Sequence, residues 1–167
     1  MLRRVLGRCF STQLLTWGPT TYGWARPVTD HLWTPTKAET PDNIVSVATG
    51  KTHLGFITSE HAAYACGLED FKTETETPRK LEFEGNPSIA SLACGTRHSL
   101  AVSTDGAVFG WGDSHAIRDG TSKPSRIPQE HFGNQKVVSV TAGEETSFAL
   151  TEDGSVYAWG YGLIRIP

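Results

Sequence analysis

The stretch His98-Ser99-Leu100-Ala101-Val102-Ser103-Thr104-Asp105-Gly106-Ala107-Val108-Phe109-Gly110-Trp111-Gly112 decides the fold class. Two runs rich in β-branched and aromatic residues flank Asp105 and Gly106, two residue types that tolerate the backbone of a tight turn. Such a turn between two apolar runs is a strong signal for a β-hairpin. The stretch therefore predicts two antiparallel strands.

The same pattern occurs three times along the chain. The first landmark is a glycine that follows a strand-like run: Gly50, Gly95 and Gly143. The second is the glycine that ends each unit: Gly67, Gly112 and Gly160. Both landmarks recur after 45 and then 48 residues. Each unit is predicted to be a small antiparallel sheet, and such sheets bury their faces by stacking on copies of themselves.

Two parts of this repeat are weaker. Glu60 and His61 replace the Asp-Gly pair in the first unit, which predicts a looser hairpin there. The segment Leu15-Thr16-Trp17-Gly18 resembles the end of a unit whose beginning is missing. We expect its strand to lack a hairpin partner nearby.

The order Gly, His, Asp-Gly, Trp-Gly within each unit resembles the regulator-of-chromosome-condensation repeat family. This resemblance implies a seven-bladed β-propeller, which at this period needs on the order of 350 residues. WD repeats and kelch repeats fit less well, because the units lack a strand-ending Trp-Asp pair and a Gly-Gly pair. The expected fold is therefore all-β: a partial propeller over residues 14–167, with about three four-stranded antiparallel blades plus an N-terminal strand. Its repeats span about residues 19–67, 68–112 and 113–160.

The resemblance is closest to the family's mitochondrial, guanine-nucleotide exchange factor-like members, relative to which the chain is expected to be truncated at its C-terminus. It implies a protein-interaction module that acts on a mitochondrial GTPase. The alternatives are an accessory factor in mitochondrial ribosomal RNA maturation or ribosome assembly, with ribosomal RNA and assembly proteins as partners, and an incomplete form without activity of its own. If the ring is open, the last blade has an uncovered face, and copies of the chain could pair to complete it.

The first residues are basic and free of acidic side chains. Arg3, Arg4 and Arg8 precede the first acidic residue, Asp30. A basic, hydroxyl-rich, amphipathic start is typical of a mitochondrial transit peptide, here residues 1–10. We therefore expect a location in the matrix or at the matrix face of the inner membrane. A ragged basic terminus and a chloroplast address are the alternatives.

The overall composition excludes several classes of protein. The chain has 167 residues, a formal net charge of −3 and three cysteines. The sequence contains no run of eighteen apolar residues that could form a membrane-spanning helix, so membrane association would be peripheral. The charge disfavours general nucleic-acid binding, and the scattered cysteines disfavour a disulfide scaffold or zinc site.

No residue set predicts catalysis, a metal or a cofactor. His53 and His98 share one repeat position, but Thr146 occupies it in the third unit, so we expect each histidine to form a hydrogen bond within its own blade. Cys66 and Cys94 are expected to be small buried residues. Asp105 and Asp153 are expected to form turns.

The tryptophans and one loop are the remaining candidates. Trp111, Trp159 and Trp17 share a repeat position and are expected in the core. Trp24 and Trp33 are less constrained, but Lys and Arg do not interleave densely with them, so they support stacking on RNA bases only weakly. The segment between Asp113 and Lys136 is predicted to be a loop on the propeller rim, where such folds bind partners. Its candidate partner-binding residues are His115, Arg118, Asp119, Lys123 and Arg126. A solvated linker is the alternative.

Overall fold

The computed structural model describes residues 12–18, 32–38, 40–41, 43–68, 74–112, 117 and 123–161. These residues form thirteen β-strands and one 3-10 turn (Gln129–Phe132). The strands are β1 (Leu15–Gly18), β2 (Leu32–Lys37), β3 (Ile44–Thr49), β4 (His53–Thr58), β5 (Ala63–Leu68), β6 (Glu74–Lys80), β7 (Ile89–Cys94), β8 (His98–Ser103), β9 (Val108–Gly112), β10 (Ser125–Ile127), β11 (Val137–Ala142), β12 (Thr146–Thr151) and β13 (Val156–Gly160).

The strands form four antiparallel sheets in chain order. Blade 1 contains β3–β6, blade 2 contains β7–β10 and blade 3 contains β11–β13. The two-stranded sheet of β1 and β2 is called here the N-terminal pair. The expectation of an all-β chain of stacked antiparallel sheets is confirmed, and in the part of the chain described blade 3 has three strands.

The register shows that the three blades are copies of one unit. A β-bulge interrupts the pairing of the first two strands at the same position in each: between residues 44 and 46, 89 and 91, and 137 and 139. A bulge adds one residue and bends the strand, so its repetition gives all three sheets a similar twist.

The tight turns form as predicted in blades 2 and 3. The Ser103 hydroxyl donates a hydrogen bond to Asp105, and the backbone N–H of Ala107 donates to the Ser103 hydroxyl at 2.9 Å. In blade 3, Thr151 and the Ser155 N–H both donate to the Asp153 carboxylate, at 2.6 and 3.0 Å. The predicted turn-forming role of the two aspartates is confirmed.

The prediction of a looser hairpin in blade 1 was wrong. The Thr58 N–H donates to Ala62 O at 3.0 Å and the His61 N–H donates to Thr58 O at 2.9 Å, which is the same closure as in blade 2. His61 adopts the left-handed conformation, with φ of 61°, that a glycine supplies in the other two units. The turn shape is therefore kept at a modest backbone cost.

The segments between the landmarks also contain strands. β6 and β10 follow Gly67 and Gly112 and form the outermost strand of blades 1 and 2. The prediction that residues 113–136 are loop missed β10 and the 3-10 turn. These pieces have only three and four residues, which is too short to show the alternation by which a strand is recognised.

The N-terminal pair was also unexpected. β1 pairs with β2, with Leu15 opposite Lys37 and Thr16 opposite Thr36, so the strand around Trp17 does have a partner. Pro35 argues against a central strand, but it is acceptable in β2, which lies at a sheet edge.

Apolar clusters fill the spaces between neighbouring sheets. The cluster between blades 1 and 2 includes Ile57 and Trp111, and the one between blades 2 and 3 includes Leu100 and Val140. A third cluster joins Ala38, next to β2, to Leu54 and Phe56 of blade 1. In the described part of the chain, no helix is long and apolar enough to span a membrane.

Candidate interaction surface

The repeated histidines connect neighbouring blades. His53 lies on β4 of blade 1, is fully buried, and forms a hydrogen bond between its Nε2 and the Ser99 Oγ of blade 2 at 2.7 Å. His98 of blade 2 repeats this bond to the Ser147 Oγ of blade 3 at 3.0 Å. His53 also contacts the Thr52 hydroxyl of its own blade, at 3.5 Å from its Nδ1. The prediction of bonds within the blade holds for that contact, but it missed the cross-blade bonds of both histidines.

Burial keeps these imidazoles neutral. Desolvation, together with a smaller effect of the nearby His98, lowers the pKa of His53 to about 4. Desolvation also lowers the pKa of His98, although the Glu145 carboxylate opposes this shift. A neutral imidazole bound to a serine hydroxyl can hold two sheets together, which is a structural role.

The turns that lead into His53, His98 and the equivalent Thr146 lie against one another. We call residues 50–53, 95–98 and 143–146 the turn row. The Lys51 N–H donates to Gly95 O at 3.3 Å, and the Thr96 N–H donates to Gly143 O at 3.2 Å. The Thr52 hydroxyl adds a bond to Thr96 O at 3.1 Å. The turn row is thus fixed by bonds that cross from each blade to the next.

The glycines of the turn row permit this close approach. A Cβ atom on Gly50 would lie 2.2 Å from Gly95 O, and one on Gly95 would lie 2.4 Å from Gly143 O. Only glycine fits these positions without moving a blade.

Charged side chains of both signs occupy the turn row. Lys51 is exposed on blade 1 and Arg97 is half-buried on blade 2, whereas blade 3 contributes the exposed Glu144 and the half-buried Glu145. A rigid surface whose charge changes sign along its length favours one orientation of a protein partner. We therefore take the turn row as the candidate interaction surface, which the sequence analysis did not identify.

The predicted partner-binding residues lie elsewhere. His115, Arg118 and Asp119 fall outside the described residues. Lys123 is exposed just before β10, and Arg126 is exposed within β10.

Arg126 lies near the hairpin turn that contains Asp105 and Gly106. The Ser103 hydrogen bond lowers the pKa of Asp105, and Arg126 contributes a smaller effect in the same direction. This turn is at the opposite end of β8 from the turn row. The structure therefore separates Arg126 from the candidate interaction surface, and the partner-binding role of the loop stays a prediction.

The equivalent tryptophans differ in burial. Trp111 is fully buried, and Trp159 is half-buried with its ring 5.7 Å from that of Phe132. Trp17 is 63% exposed, so the prediction that it lies in the core was wrong. The sheet that would cover it is absent from the described residues.

The two described cysteines have different environments. Cys66 is fully buried, as predicted. Cys94 is half-buried, and the Ser99 hydroxyl lies 3.9 Å from its sulfur. Within the described ranges, no group of three His, Cys, Asp or Glu residues is arranged to hold a metal ion.

Comparison with known proteins finds a repeat family that part of the chain matches. Residues 89–116 and 137–162 match the regulator of chromosome condensation (RCC1) repeat. The chain is 26% identical over 156 residues to the guanine nucleotide exchange factor SRM1 of Saccharomyces cerevisiae, covering 71% of this chain and 32% of that protein. It is 34% identical over 83 residues to the RCC1-like G exchanging factor-like protein of Mus musculus, covering 45% of this chain and 18% of that protein.

The fold is that of known propellers. The crystal structure of Prp20p from Saccharomyces cerevisiae, described with its binding to Gsp1p and histones, superposes with a TM-score of 0.74 at 21% identity. The match covers 89% of this chain and 41% of that one. The expected partial β-propeller is confirmed, and the chain spans less than half the length of each of these relatives.

Proposed function

Because this chain carries RCC1 repeats on a partial β-propeller, we propose that it is a noncatalytic protein-interaction module that binds a mitochondrial GTPase and promotes release of its guanine nucleotide. The observation that carries the proposal is the similarity of its blades to two relatives that are named as exchange factors. Nucleotide exchange fits a surface of this kind, since it requires no proton transfer by the module.

The turn row is the proposed contact surface. Its cross-blade hydrogen bonds keep the backbone of the three turns at fixed relative positions, so little backbone entropy is lost on binding. A module that binds the nucleotide-free GTPase more tightly than the loaded form must weaken nucleotide binding by the same factor. Complementary charge on the GTPase would determine the orientation of the complex.

A mitochondrial location is supported by the N-terminal sequence. Arg3, Arg4 and Arg8 lie in an acid-free start that has the composition of a transit peptide. The partner in this proposal is therefore a GTPase of the matrix or of the matrix face of the inner membrane.

Nucleotide release tests the proposal directly. Mitochondrial GTPases loaded with a fluorescent GDP analogue are mixed with the purified chain and excess unlabelled GTP. We expect faster release from one of them and a loss of this effect in Glu144→Lys. The matched control is Glu130→Lys, an exposed charge reversal on the 3-10 turn. Unchanged release from every GTPase at the highest soluble concentration would exclude exchange.

A role in ribosomal RNA maturation is the competing function. The acidic Glu144 and Glu145 lie on the turn row and would repel phosphate groups. The proposal accordingly takes a protein as partner. Crosslinking to mitochondrial RNA that is lost in Lys51→Glu would contradict it.

A further inference from the structure

One face of blade 3 is apolar and open. Phe148 and Leu150 on β12 and Val156 on β13 are exposed, and Leu150 pairs directly with Val156. The alternating residues Ser147 and Ala149 are buried against blade 2 instead. We call the surface formed by Phe148, Leu150 and Val156 the tail face.

The same face of blade 2 is completely covered. Leu100, Val102 and Val108 occupy the repeat positions of Phe148, Leu150 and Val156, and their exposed fractions are 0–1%. They belong to the apolar cluster that includes Val137 and Val140 of blade 3. The tail face therefore has the composition of a surface that packs against another sheet. The described residues form no sheet that covers it.

The opposite end of the chain has a complementary surface. Leu15 and Trp17 on β1 are exposed, whereas Thr16 between them is buried on the side of blade 1. We call the surface formed by Leu15 and Trp17 the head face. Trp111, at the repeat position of Trp17, lies in a cluster with Ile57 and Ala65 of the preceding blade. The head face is thus the kind of surface that a tail face covers.

We propose that the tail face of one copy of this chain binds the head face of a second copy. The contact reproduces between chains the packing that already joins blade 1 to blade 2 and blade 2 to blade 3. It is heterologous, since the two surfaces differ, so a pair of copies leaves a free head face on one copy and a free tail face on the other unless the assembly closes. This inference concerns surfaces apart from the turn row and does not depend on GTPase binding.

Variants that block one face each provide the test. Sedimentation velocity of the 167-residue chain over a range of concentrations should show reversible association. Phe148→Asp and Trp17→Asp should each weaken it by at least about tenfold, as expected for a central apolar contact. The matched control is Val45→Asp on β3. Val45 is as exposed as Trp17, and its position stays exposed in all three blades.

Mixing the two blocked variants distinguishes this contact from others. Phe148→Asp retains an intact head face and Trp17→Asp retains an intact tail face, so an equimolar mixture should form a 1:1 complex. Circular dichroism and urea unfolding of each variant establish that it is folded, and Val156→Asp replaces Phe148→Asp if that one is not. A mixture that stays monomeric would overturn the proposal. So would a wild-type chain that stays monomeric over the whole concentration range.

Discussion

The imidazole Nε2 of His53 lies 2.7 Å from the hydroxyl oxygen of Ser99, across the boundary between blades 1 and 2. This bond joins residues 46 positions apart, and His98 and Ser147 form its counterpart across the next boundary. The stability of the stacked sheets should therefore depend on these side chains and on their protonation.

Removal of the Ser99 hydroxyl should destabilise the chain. Ser99→Ala leaves the buried Nε2 of His53 without its cross-blade partner, which typically costs about 1–3 kcal/mol. Urea unfolding of the variant against wild type measures the change. Ser46→Ala, an exposed serine on β3, is the control and should change the free energy of unfolding by less than about 0.5 kcal/mol. Equal effects of the two substitutions would show that the cross-blade bond contributes nothing.

Stability should fall as the pH is lowered from about 6.5 to about 4. Burial depresses the pKa of His53 to about 4 in the folded chain, whereas the unfolded chain binds the proton at an ordinary pKa. The unfolded state therefore takes up more protons in this window, and the free energy of unfolding decreases. It should be constant above this window. The loss is on the order of 3 kcal/mol, since one pKa unit corresponds to about 1.4 kcal/mol.

A variant that lacks only His53 measures its share of this effect, while the pKa of His98 stays lowered by burial. His53→Gln should be less stable at neutral pH but should show a flatter dependence between pH 6.5 and 4 in urea titrations. The lowered pKa of Asp153 also removes stability in acid, but its protonation lies at lower pH. If the variant showed the wild-type pH dependence, the loss of stability in acid would be due to other groups.

Addition of one methyl group at Gly95 should separate blades 2 and 3. A Cβ at this position would lie 2.4 Å from Gly143 O, so Gly95→Ala requires a backbone shift and should cost more than about 2 kcal/mol. The control is Gly85→Ala, where no atom lies within 4 Å and only the positive φ of 78° opposes alanine. That strain costs about 1 kcal/mol. Thermal unfolding of both variants tests whether close approach dominates.

Local chemistry in the sequence was enough to predict the sheets. Asp105 and Gly106 specify their turn within a few residues, and the spacing of the landmark glycines shows that the unit is repeated. The cross-blade bonds depend on which face of a strand meets which neighbour, so the sequence did not reveal Ser99 as the partner of His53. A signal was present, since Ser99 and Ser147 also share one repeat position.

The polar outer strands and the exposure of Trp17 were missed for related reasons. β6 and β10 are held by pairing with their neighbours and carry no apolar alternation of their own. Trp17 has the repeat position of a buried residue, but burial depends on a preceding sheet that the local sequence cannot report. The turn row could not be predicted as a surface from the repeat pattern, because its charged residues differ from blade to blade.

The N-terminal arginines should direct the chain to mitochondria. A basic amphipathic start is drawn inward across the inner membrane, and Arg8-Cys9-Phe10-Ser11 resembles a processing site with the cut after Phe10. A fluorescent fusion should therefore accumulate in mitochondria and begin at Ser11 by N-terminal mass spectrometry. Replacement of Arg3, Arg4 and Arg8 by glutamine should leave it in the cytosol, whereas Lys123→Gln should not change its location. Mitochondrial import of the triple variant would refute the assignment of residues 1–10 as the address.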